Sequence, residues 1–133
     1  MNAARKFLRK LYRLVIIFLW RYIVNPLSYS ISGMNFMRHE RPFRVELVCG
    51  IVIWPICFFI FGWHWKLLLI TIDFMVLLCA ECLNTAIESI VDFAAQNKRF
   101  VLAKKAKDTA SAAVYIALCN IIITAVFLLT LPK

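Results

Sequence analysis

Glu81, Asn84, Glu88 and Asp92 follow one another at intervals of 3, 4 and 4 residues inside the stretch ECLNTAIESIVD. At about 100° per residue, all four fall within a sector roughly 80° wide, a single stripe about 16 Å long on a helix. Three carboxylates on one stripe need cations. One source is the run Lys104, Lys105 and Lys107, directly before Asp108. Another is a hard metal such as Mg²⁺, which binds through one or two carboxylates together with substrate phosphates. Glu40, in HERPFR, is a further acid that could complete such a site. Metal, lysines and a spare carboxylate are the equipment of phosphoryl transfer: cations neutralise phosphate charge and the carboxylate takes the proton of an attacking hydroxyl. The glycines stand alone at 33, 50 and 62. Neither a P-loop nor the Gly-rich loop of protein kinases is present.

The setting of the stripe is apolar. Of 133 residues, 63% are hydrophobic, and the mean hydropathy of +0.80 places the chain in the membrane class. Spans are expected at about 44–63, 66–94 and 109–131, each near the roughly 20 apolar residues a crossing requires. Pro55 is expected to kink the first. Three acids facing lipid would cost about 8–10 kcal/mol, so the stripe must face other helices or a watery cavity. If Lys66 marks one boundary, Glu81 lies about 22 Å and Asp92 about 39 Å along the helix. That places the stripe between the far half of the bilayer and its interface. Interhelical hydrogen bonding is the plainer alternative; it suits Asn84 but accounts poorly for three acids.

The N-terminal 27 residues read as a basic amphipathic segment. Arg5, Lys6, Arg9, Lys10 and Arg13 precede Leu14–Val24, which is too short to cross and is interrupted by Arg21. An interfacial helix is therefore expected there; a signal peptide would need a small-residue cleavage site, and Trp20-Arg21-Tyr22 stands in its place. Nine of the 16 Lys and Arg residues fall between Arg5 and Arg44, and Lys98, Arg99, Lys104, Lys105 and Lys107 lie between the last two spans. Only Lys66 and Lys133 fall on the other side, so the positive-inside rule makes the N-terminus and the 95–108 loop cytoplasmic and the C-terminus outward. The formal charge of +9 then serves anionic lipid. No soluble module gathers the basic residues for nucleic acid.

Several residues read as structural. Cys79 and Cys82 form a C-x-x-C in mid-helix without a second pair and suit packing. Ala106, Ala110, Ala113 and Ala117 make a small-residue stripe for close helix approach. Asp73 is expected to pair with His64 or Lys66 near the outer interface, and His64 sits in an aromatic belt, GWHWK. Ser111 could bond its own helix or reach a substrate.

ECLNTAIESIVD followed by AKKAKDTASAAV resembles the signature of the prokaryotic diacylglycerol kinases, a family that includes undecaprenol kinases, and HERPFRVE and YSISG resemble two further segments of it. The resemblance covers residues 29–131. It implies an all-α integral membrane protein of three transmembrane helices preceded by N-terminal amphipathic interfacial helices (a surface helix at 28–43), assembled as a homotrimer with shared sites in a bacterial inner membrane. Glu81 would be the base, Glu40 and Glu88 would hold Mg²⁺, and Tyr29, Glu40, Glu88, Lys107 and Asp108 would engage ATP. Arg44, Asn84 and Ser111 would join Glu81 at the lipid, and Asp92 would complete the polar cluster. The interval from Asp92 to Lys107 is one residue longer than the family pattern, and AAQNKRF replaces its usual loop. The reaction implied is phosphorylation of a membrane lipid alcohol, diacylglycerol first and undecaprenol as the alternative. A non-catalytic assembly whose acid stripe serves packing or ion binding is the contrasting reading, whereas a channel would need polarity through the outer half of the spans.

Overall fold

The computed structural model describes residues 2–96, 98 and 100–131, with side chains from Phe7 onward. Arg99, Lys133 and the side chains of Arg5 and Lys6, which enter the charge pattern above, lie outside the described residues. The chain separates into two compact units, Met1–His39 and Glu40–Lys133.

The first unit is helical throughout. Helix α1 (Asn2–Leu19) passes into a π-helical segment (Trp20–Val24) and then α2 (Asn25–Met37). The Asn25 N–H bonds back to the Trp20 carbonyl, the wider π register, and Pro26 falls in the first turn of α2. A proline there has no N–H to satisfy, so the helix continues beyond Val24, where the apolar stretch ends. This corrects the expectation of three spans preceded by amphipathic interfacial helices. Phe7–Met37 is long and apolar enough to cross a membrane by length and composition, as are Arg41–Phe61, Trp65–Ala95 and Val101–Thr130. Leu14–Val24 is too short only if the helix stops there. A crossing by Phe7–Met37 puts its two ends on opposite faces, so a shared cytoplasmic face for all basic residues before Arg44 no longer follows.

The second unit contains α3 (Arg41–Phe61), α4 (Trp65–Ala95) and α5 (Val101–Thr130). Glu40 stands at the start of α3 in extended conformation and its side chain makes no capping bond, which leaves the carboxylate uncommitted. Helix α3 runs through Pro55 without interruption and stops at Gly62, whose φ of 63° lies where side chains are disfavoured. At 31 residues, α4 is about 46 Å long against a hydrocarbon core of about 30 Å, so one end must emerge. It closes on Gln96 in the left-handed conformation. Helix α5 starts at Val101, so Lys104, Lys107 and Asp108 are helical rather than in the expected 95–108 loop.

Helix α4 packs along α5 and against α3. Ala110 and Ala117 are buried on the α5 face, whereas Ala113, expected in the same stripe, points outward. Phe43, Leu67, Leu77 and Leu128 complete a narrow core, and most other large apolar side chains are exposed. Such a surface suits lipid as solvent, since a helix satisfies its interior backbone groups within itself. The protein is a multi-pass membrane protein.

Lys66 is buried (6% exposed) and its ammonium donates to the Leu128 and Leu131 carbonyls at 3.4 and 3.1 Å. It thereby joins the start of α4 to the C-terminal end of α5, where helix carbonyls lack partners and carry partial negative charge. Lys66→Met should destabilise the protein by about 1–3 kcal/mol, read as a lowered thermal midpoint in detergent micelles. Asp73 takes a different partner from those expected: its Oδ1 accepts from Asn120 Nδ2 at 2.9 Å across α4 and α5. The five cysteines are free.

Candidate active site

The middle of α4 carries a buried carboxylate. Glu81 is 3% exposed and Asn84 9%, with Glu88 half-buried one turn further on. The helical spacing puts them on one face, and packing against the other helices buries that face. Asn84 Nδ2 donates to Glu88 Oε1 at 3.2 Å, which orients both groups. Glu81 lies within Coulombic reach of Glu88 and of Glu40 at the head of α3. Packing of α3 on α4 thus brings Glu40 within electrostatic range of Glu81.

Glu46 joins them. It sits near Glu81, and its Oε2 is buried without a hydrogen-bond partner, as is Asn84 Oδ1. Such oxygens are costly to leave unpaired. Both are acceptors, so a hydroxyl donor or a cation would satisfy them. Glu46 is the last residue of HERPFRVE, a signal present in the sequence but given no role; its spacing of six from Glu40 says nothing about α4.

Two concavities flank the acids. The first, about 570 Å³, lies among α3, α4 and α5; Arg41 and Glu46 line one end and Trp54 and Ile70 the other. The second, also about 570 Å³, lies where α4 ends and α5 begins, and Asp92, Lys98, Lys104, Lys107 and Asp108 line it. There the Lys107 ammonium donates to both Asp92 oxygens, at 3.0 and 3.1 Å. Both side chains are substantially exposed, so the pair adds little stability. Its effect is to hold Lys107 at the mouth of a basic cleft suited to phosphates. Asp92 thus takes Lys107 as its partner, one helical turn beyond Glu88 on the same helix. Lys104 belongs to the run expected to meet the acids, whereas Lys98 enters the sequence reading only as a topology charge.

The remaining expected residues are more dispersed. Arg44 is exposed near the start of α3, and Ser111 is exposed on α5 one turn beyond Lys107. Tyr29 belongs to α2 in the first unit and is 74% exposed. Among the described residues no group of three His, Cys, Asp or Glu side chains could hold a metal ion alone. Mg²⁺ does not require one, since it takes one or two carboxylates and completes its shell with water and phosphate. The all-oxygen donors and the orphaned Glu46 and Asn84 oxygens fit such a hard cation.

Residues 28–129 match the family model for prokaryotic diacylglycerol kinase. The chain belongs to the prokaryotic diacylglycerol kinase family. The diacylglycerol kinase of Haemophilus influenzae is 31% identical over 99 residues, 74% of this chain and 83% of that one. That of Pseudomonas aeruginosa is 34% identical over 103 residues, 77% of this chain and 83% of that one. The match contains Glu40, Glu46, Glu81, Asn84, Glu88 and the Asp92–Lys107 pair, so the buried acids and the basic cleft both lie in the family region. Residues 1–27, with α1 and the π segment, precede it. Membership makes the protein a kinase of membrane lipid.

Proposed function

We propose that the protein transfers the γ-phosphoryl group of ATP to the hydroxyl of diacylglycerol, giving ADP and phosphatidic acid. The observation that carries this reading is Glu81, a carboxylate buried inside a membrane helix between an apolar cavity and a basic cleft. Glu81 takes the proton from the lipid hydroxyl as its oxygen bonds to phosphorus. The bond from phosphorus to the β,γ-bridging oxygen breaks, and ADP carries away that electron pair. Asn84 holds the hydroxyl and orients Glu88, with Arg44 and Ser111 at the lipid side. Lys107, positioned by Asp92, and Asp108 bind the nucleotide. Glu40 and Glu88 would hold Mg²⁺, which when bound neutralises charge on the transferring phosphate.

The basic cleft faces the cytoplasm, where ATP is available, and the C-terminus faces outward from a bacterial inner membrane. The active unit is a homotrimer in which a neighbouring chain closes each site. The exposed apolar flanks of α3, α4 and α5 and the unpaired buried oxygens support that arrangement. Purified protein in micelles should transfer ³²P from [γ-³²P]ATP to diacylglycerol in the presence of Mg²⁺ and stop when the metal is chelated. Faster transfer to undecaprenol would reassign the substrate, and transfer to neither lipid would refute the kinase reading.

A further inference from the structure

On α4, the apolar residues Ile70, Phe74 and Leu77 precede Glu81 at intervals of 4, 3 and 4, the same helical spacing that carries on to Asn84 and Glu88. One face of one helix is therefore apolar for three turns and then acidic. The cavity among α3, α4 and α5 follows that face. Glu46, beside Glu81, lines its polar end. The cavity's lining runs about 20 Å along α3, from Arg41 to Trp54, and about 10 Å along α4, from Leu77 to Ile70. These lengths bracket half the roughly 30 Å hydrocarbon thickness, the reach of one acyl chain in one leaflet.

The far end is built. Trp54 Nε1 donates to Thr71 Oγ1 at 3.1 Å, tying the indole of α3 to α4. The Thr71 hydroxyl donates in turn to the Leu67 carbonyl at 2.8 Å. The Phe58 ring stacks on Trp54 from one turn beyond, at 5.8 Å between centroids. Upstream, the Phe74 ring fills the place that a side chain at Gly50 would occupy. Gly50 thus admits the ring that forms one wall.

We infer that this groove holds an acyl chain of the lipid acceptor and that Trp54, held by Thr71, is its floor, so the enzyme measures chain length. The inference rests on the phosphoryl-transfer reading and deepens it. An acceptor with its hydroxyl at Glu81 and one leaflet-length chain along Leu77, Phe74 and Ile70 matches both the chemistry and the length of the cavity. A polyprenol chain is several times longer than the groove and would have to leave it sideways.

The test is a chain-length profile in mixed micelles, with diacylglycerols from dihexanoyl to dioleoyl, for the unmutated protein, Trp54→Ala and Thr71→Val. Trp54→Ala should raise kcat/KM for the long chains relative to the short ones by about tenfold, the lower end of what a methylene decides in an apolar pocket. Thr71→Val, which removes the acceptor at nearly constant volume, should shift the profile the same way by less. An unshifted profile in both variants overturns the inference, and so does a change of assembly size without a shift, which would give the groove to a neighbouring subunit. If the unmutated protein phosphorylates no diacylglycerol, the diacylglycerol reading fails separately. Terminally brominated diacylglycerol then decides the groove: it should quench fluorescence that is lost in Trp54→Phe, and absence of that quenching overturns the floor.

Discussion

Replacing Glu81 by Gln should lower phosphoryl transfer by about 10²–10⁴-fold, the usual worth of a positioned general base, while thermal midpoint and assembly size stay unchanged. Glutamine preserves the volume of a side chain that is 3% exposed and keeps its polarity. It removes the charge that Glu40, Glu46 and Glu88 each repel, so unfolding is not the expected consequence. Single-turnover transfer to diacylglycerol measures the effect on chemistry. A fully active Glu81→Gln enzyme would remove Glu81 from the base position. A variant that loses transfer together with its assembly would make the acid a packing element instead.

Glu88→Gln should act on the metal. With one of two proposed carboxylate ligands neutralised, the Mg²⁺ concentration for half-maximal rate should rise by at least the roughly 10–100-fold that even outer partners of metal ligands are worth. Excess Mg²⁺ should restore part of the rate, which a general base variant would not allow. The Asn84 amide, which now donates to Glu88 Oε1, would still find a carbonyl acceptor in glutamine, so the local geometry should persist. An Mg²⁺ titration of initial rate checks this, and an unchanged midpoint would take Glu88 out of the metal site.

How far the sequence reached depends on the range of the forces involved. The stripe Glu81, Asn84 and Glu88 is a local property of helical period, and the high price of charge in lipid requires that such a stripe be covered. Both could be read without coordinates. The helix spans 44–63 and 66–94 lie within a few residues of α3 and α4, since apolar length is likewise local. The N-terminal helix runs on past Val24 because a π segment carries the chain into α2, a choice of hydrogen-bond register that the apolar length of Leu14–Val24 does not display. Helix α5 begins eight residues before its apolar stretch because lysines and alanines extend a helix well.

By itself, then, the sequence determined a membrane protein with buried acids on one helix face and basic residues near one end of it, because period and hydropathy act along the chain. Only the tertiary structure decided which side chains on different helices meet. It brought Glu46 to Glu81, turned Lys107 onto Asp92, gave Asp73 to Asn120 rather than to His64, and closed a groove with Trp54 and Thr71. Those pairings follow from how α3, α4 and α5 fit side by side. That fit depends on the shapes of facing surfaces, such as Phe74 against Gly50 and the alanines of α5 against α4, and no single helix contains its partner's shape.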